Sequence, residues 1–113
     1  MNLNYEIDKL YSEKFIALFA LGILHSLQNK TISIDEAEGF IFTPSTSSIL
    51  YSAGYADELI EIISEGVILD DYSDLVPELL PEKLRELISR TERFIHEAPD
   101  FGREVEKNIV VDC

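Results

Sequence analysis

Asp70, Asp71, Ser73 and Asp74 stand within five residues of one another and form the group in this chain that most invites a chemical reading. Oxygen-bearing side chains at such spacing could hold a calcium ion. A calcium loop of the EF-hand kind needs oxygen ligands at its first, third and fifth positions, a glycine at the sixth and a glutamate at the twelfth. Counted from Asp70, the third position is Tyr72, the sixth is Leu75 and the twelfth is Pro81, so the pattern fails at three fixed points. The pattern therefore argues against a divalent-cation site over Asp70–Asp74, and neither a metal nor a cofactor is expected.

Other chemistry is sparse. His25 and His96 lie in separate stretches with mostly apolar neighbours, where surface or hydrogen-bonded core histidines are more common than proton-transfer groups. Cys113 is the only cysteine and the last residue. It can form no disulfide within the chain, and a terminal position cannot hold the geometry that nucleophilic attack demands. Absence of disulfides suits a reducing cytoplasm. No glycine-rich phosphate loop, paired cysteines or HExxH motif occurs. No basic segment followed by an apolar stretch and a cleavage site opens the sequence, so no signal peptide is expected. Paired carboxylates could do acid–base work, but none stands beside an evident nucleophile or cationic partner. An enzyme is not expected.

The charge distribution says more. The chain has 113 residues and a formal net charge of −13. Residues 1–30 are balanced and residues 83–113 carry seven acids against six bases, whereas residues 31–82 carry twelve acids and no lysine or arginine. A chain of this kind repels nucleic acid and anionic membranes and attracts basic partners. A surface meant only for solubility usually mixes both signs.

The elements that position these acids read as helices in a single domain spanning residues 1–113. "SEKFIALFALGILHSLQN", about residues 12–29, is apolar on nearly every side, as expected of a central helix wrapped by others. Its longest apolar run, Phe15–Leu24, has ten residues, short of the roughly 20 that a membrane span needs. Gly22 costs this helix about 1 kcal/mol relative to alanine, which a close approach by a neighbouring helix would explain. Ser33 and Glu36 match a capping box ahead of a short helix, Ile34 to Phe40. Thr43 and Pro44 open the next helix, and Gly54 ends it. In "ADELIEIISEG", Leu59, Ile60, Ile62 and Ile63 form the core side and Gly66 is the expected stop. Asp70 or Ser73 can start a helical turn before Pro77. Pro81 opens a last helix in which Leu84, Leu87, Ile88, Thr91 and Ile95 fall at helical spacing. Glu86 and Arg90, four apart on its exposed side, should pair weakly. After Pro99 the chain is either a short strand at "NIVV" or packed coil. The fold expected is all-α, with five or six helices.

On the helix after Ala56, Glu58, Glu61 and Glu65 form one stripe, and Asp57 stands four residues before Glu61. Like charges at that spacing destabilise a helix by about 0.2–0.5 kcal/mol per pair, and no lysine is expected to relieve them. Tyr51, Tyr55 and Tyr72 lie among the acids, and tyrosine is enriched at interface hot spots. The expected partner-binding set is therefore Tyr51, Tyr55, Asp57, Glu58, Glu61, Glu65, Asp70, Asp71, Tyr72 and Asp74.

A small, acidic chain of this kind resembles the immunity proteins that bacteria pair with toxins of contact-dependent growth inhibition. The stretch "KFIALFALGILHSLQNKTISIDEAEGFIFTP", Lys14 to Pro44, also resembles an uncharacterised family of small bacterial helical proteins. The first resemblance implies a cytoplasmic, non-enzymatic inhibitor that occludes a cognate basic toxin domain, often a nuclease. It fixes no functional residue. The alternative is an acidic adaptor or regulatory module with no toxin partner.

Overall fold

Ser33 and Thr43 each cap a helix with the side-chain oxygen. Ser33 Oγ accepts from the Glu36 amide at 3.1 Å and Thr43 Oγ1 from the Thr46 amide at 3.2 Å, which satisfies amides that have no partner inside the helix. The structure, a computed structural model, describes residues 2–102 and 106–110. Its elements run β1 (Asn2–Glu6), α1 (Lys9–Gln28), α2 (Ile34–Glu38), α3 (Pro44–Ser52), α4 (Asp57–Val67), α5 (Leu69–Leu75), a 3-10 turn (Pro77–Leu79), α6 (Leu80–Glu97) and β2 (Glu106–Val110). The fold is all-α apart from one two-stranded ribbon. In that ribbon β1 pairs antiparallel with β2, with Asn2 opposite Val110 and Glu6 opposite Glu106. "NIV" of the tail is thus strand, and its partner is the opening residues of the chain. Cys113 lies outside the described residues.

The packing joins α1 and α6 most extensively, with α4 against both. Ala17, Ala20, Leu24 and Leu27 of α1 meet a common core with Leu59 and Ile63 of α4 and Leu84, Leu87 and Ile88 of α6. Each large aliphatic side chain fully buried here contributes about 1.5–3 kcal/mol. Thr91 is the one buried polar residue among those described, and its hydroxyl donates to the Leu87 carbonyl at 2.7 Å. Ile95 is only half-buried, at the fraying end of the same face.

Three local expectations need correction. α1 is not wrapped on all sides: Leu10, Leu18 and Phe19 stay exposed. A Cβ at Gly22 would meet nothing within 4 Å, so no helix of this chain approaches it. Gly66 does not stop α4. The helix continues to Val67, and Gly66 is buried where the ring of Phe42 lies over its backbone, leaving no room for a Cβ. By length and composition α1 could cross a membrane, although its core side is packed in this fold.

The end of α1 is built on Asn29 and Lys30. The Thr31 amide donates to Ser26 O at 2.8 Å and the Lys30 amide to Leu27 O at 3.0 Å, the two bonds of a Schellman cap. Lys30 occupies the left-handed position of that cap at φ 58°, where glycine is usual and another residue costs about 1–2 kcal/mol.

The two glycines should respond in opposite ways. Gly66→Ala drives a methyl group into Phe42 and should destabilise the fold by about 1–3 kcal/mol. Gly22→Ala, on an open helix surface, should stabilise it by about 0.8–1 kcal/mol. Denaturant unfolding of both variants checks the pair.

Candidate functional site

Two stripes with the same spacing face each other across α4 and α6. Glu58, Glu61 and Glu65 are separated by three and then four residues, and so are Lys83, Glu86 and Arg90. Steps of three and four keep side chains on one helix face, so each stripe is continuous. Lys83 meets Glu65 while Arg90 reaches Glu58, so the helices run antiparallel. Arg90 is the centre of the contact. Its Nε donates to Glu58 Oε1 at 3.0 Å and its Nη2 to Glu61 Oε2 at 3.2 Å, and Nη1 donates to Glu65. Glu86 lies 3.9 Å away on the same helix, and Lys83 pairs with both Glu65 and Glu86.

The acidic stripe is therefore not unrelieved. The segment contains no base, but the fold brings two from the following helix. Arg90 is also not on an exposed side: its side chain is 18% accessible, while Glu58 and Glu61 remain 44% and 63% accessible. The hydrogen bonds that Arg90 donates to Glu58 hold its guanidinium still more firmly protonated than usual, against the opposing effect of burial, with those to Glu65 adding to them. Burial pushes the Glu65 carboxyl up, but the hydrogen bonds and charges of Lys83 and Arg90 outweigh it, and the net effect holds Glu65 below the ordinary range. Lys83 is raised overall, because Glu65 and Glu86 outweigh its own desolvation.

A second group of acids has no such partner. α2 packs against α5, which brings Glu38 close to Asp70, with Asp35 and Asp71 nearby. Burial pushes the Glu38 carboxyl above its ordinary value, and the charge and hydrogen bond of Asp70 push it further. Asp70 Oδ1 accepts from the Asp71 amide at 2.9 Å, while Asp71 and Asp74 point outward and are exposed. Among the described residues, no lysine or arginine lies within ion-pair distance of these acids. Residues 69–75 are helix rather than a chelating loop, and no group of three potential metal ligands converges among the described residues.

The anticipated binding residues thus fall into separate places. Glu58, Glu61 and Glu65 gather on Arg90, and Asp70 and Asp71 gather with Glu38. Asp57 is exposed in the first turn of α4, where the helix dipole favours it. Tyr51 is 75% exposed on α3. Tyr55 is half-buried, and its hydroxyl shares a 2.7 Å hydrogen bond with Ser12 Oγ. Beside it, Glu13 Oε1 accepts from the Ala56 amide at 2.9 Å and so caps α4 from another helix. Tyr72 is half-buried with the Lys83 ammonium 5.9 Å from its ring centroid. Sequence reasoning missed Arg90, Lys83 and Glu38. The matched spacing of the two stripes was the available signal for the first two.

Fold and charge together define a small acidic α-helical domain, held by an ion cluster between its fourth and sixth helices. The chain belongs to the DUF3969 family: the family model, described as a protein of unknown function, matches residues 8–110. No curated protein and no solved structure matches the chain significantly.

Arg90→Ala leaves three glutamates facing one another with only Lys83 nearby. The expected loss is about 1–3 kcal/mol, between the values for exposed and buried pairs. Arg90→Lys should restore less than half of it, because one ammonium cannot span three carboxylates. Urea unfolding at neutral pH and low salt checks both.

Proposed function

We propose that this protein is a non-catalytic binding protein that captures a basic partner protein with the acidic surface of α2 and α5. The observation that carries this reading is the adjacency of Glu38, Asp70, Asp35 and Asp71. Burial and repulsion by Asp70, Asp35 and Asp71 raise Glu38 together, and among the described residues no lysine or arginine pairs with this group, although the same fold supplies bases to the stripe on α4. A basic partner would relieve that repulsion, and steering by such a field speeds association by about 10–10³-fold at low salt. Asp74 extends the surface along α5, and the exposed Tyr51 on α3 offers rigid contact area.

The resemblance to immunity proteins suggests the particular form: a cytoplasmic inhibitor that covers the basic cleft of a cognate nuclease toxin. Glu58, Glu61 and Glu65 then play a different part from the one their exposure in sequence suggests. They hold α4 to α6 and contribute to the partner's field from a distance. An adaptor role is the second reading, favoured by the exposed apolar group Leu18, Phe19 and Phe40, in which the rings of Phe19 and Phe40 meet edge to face with centroids 6.1 Å apart.

The test is surface-plasmon kinetics against the product of the adjacent gene, across a salt series. Asp71→Lys with Asp74→Lys should slow association at least tenfold at low salt and leave the unfolding midpoint nearly unchanged. Glu58→Lys should instead lower the midpoint, because it places a second cation on Arg90. Association that is independent of salt and unaffected by the double reversal would contradict the proposal.

A further inference from the structure

A cavity of about 250 Å³ opens where the end of α1, the following loop, α5 and the start of α6 meet. Leu27, Ile32, Ile34, Leu69, Leu80 and Leu84 give it an aliphatic lining. Gln28, Pro81 and two exposed bases, Lys30 and Arg85, also line it. In a chain with a net charge of −13 this pairing is unusual. Lys83 and Arg90 are both engaged by glutamates, whereas no acid lies within ion-pair distance of Lys30 or Arg85 among the described residues. Lys30 also stands in the left-handed cap position that glycine usually fills.

An apolar cavity with a few convergent polar groups is the usual form of a small-molecule site. We propose that this cavity binds a medium-chain carboxylate, with the acyl chain among the aliphatic side chains and the carboxylate between Lys30 and Arg85. Size sets the chain length. At about 30 Å³ per water-sized group, the space of about 250 Å³ holds a chain on the order of eight carbons. Charge sets the head group, since two bases without acid partners match one anion and oppose a cation. The long stems of Lys30 and Arg85 extend the apolar wall while their heads stay in water. The site is separate from the acidic surface of α2 and α5 and does not depend on it.

Octanoate, octanol and octylamine share one tail and differ in head group, so they separate the two parts of the proposal. Calorimetry of the full chain, with methyl-resolved NMR to locate binding, should show saturable octanoate binding that shifts the methyl signals of Leu27, Ile32, Ile34 and Leu84. Octanol should bind at least tenfold more weakly and octylamine more weakly still. Lys30→Gly suits the left-handed backbone and keeps the fold intact, yet should weaken octanoate at least tenfold, as should Arg85→Ser. Three outcomes would each overturn the proposal: no saturable binding of octanoate, equal binding of octanol, or shifts confined to the groove of Phe19 and Phe40.

Discussion

The guanidinium of Arg90 holds together two helices that would otherwise present a row of like charges. Three glutamates of α4 converge on it, and Lys83 reinforces the end nearest Glu65. An arginine suits this position because its planar fork presents several donors in fixed directions, whereas an ammonium acts as a compact point charge. Beneath the ions, Leu59 and Ile63 of α4 share the core with Leu84, Leu87 and Ile88 of α6. The apolar contact supplies most of the burial. The ion cluster adds direction, because Lys83 pairs with Glu65 at one end and Arg90 reaches Glu58 at the other.

That arrangement sorts the acids into two populations. Glu58, Glu61 and Glu65 of α4 are paired with Arg90 and Lys83, which offset the repulsion that the spacing of the three glutamates creates. Glu38 of α2 and Asp70 and Asp71 of α5 lie near one another with no lysine or arginine in ion-pair distance among the described residues, and burial together with the Asp70 charge raises the affinity of Glu38 for a proton. Net charge alone does not distinguish the two groups. The distinction comes from which acids fall opposite α6, the helix that carries Lys83 and Arg90.

Much of the fold was legible because it rests on local rules. Ser33, Thr43 and Pro44 mark helix starts through short-range hydrogen bonding and a fixed backbone angle, and the structure uses all three. Leu84, Leu87, Ile88 and Thr91 repeat with the helical period and are buried. What was not legible depends on residues far apart in sequence. Gly66 carries the local signature of a helix stop, but its smallness serves the ring of Phe42, which arrives from 24 positions away. Glu13 caps α4 across 43 residues. The alternation of Leu3, Tyr5 and Ile7 signals a strand only once a partner is known, and that partner lies near the other end of the chain. For the candidate site, the acids themselves were visible in the composition. Their division between Arg90 and the α2–α5 surface was not, because it follows from the docking of α4 on α6.

Titration of the carboxyl carbons of Glu65 and Glu38 by NMR tests this division most directly. Both start from an ordinary value of 4.5. Glu65, lowered in the folded state, contributes stability that is present above 4.5 and is lost as pH falls through its folded value. Glu38, raised in the folded state, has the opposite sign: its contribution is fully present below 4.5 and is lost as pH rises through its folded value. The account predicts a Glu65 midpoint below 4.5 and a Glu38 midpoint above it in the same sample. Coincident midpoints, or the reverse order, would contradict the claim that the fold pairs one set of acids and leaves the other exposed to its own repulsion.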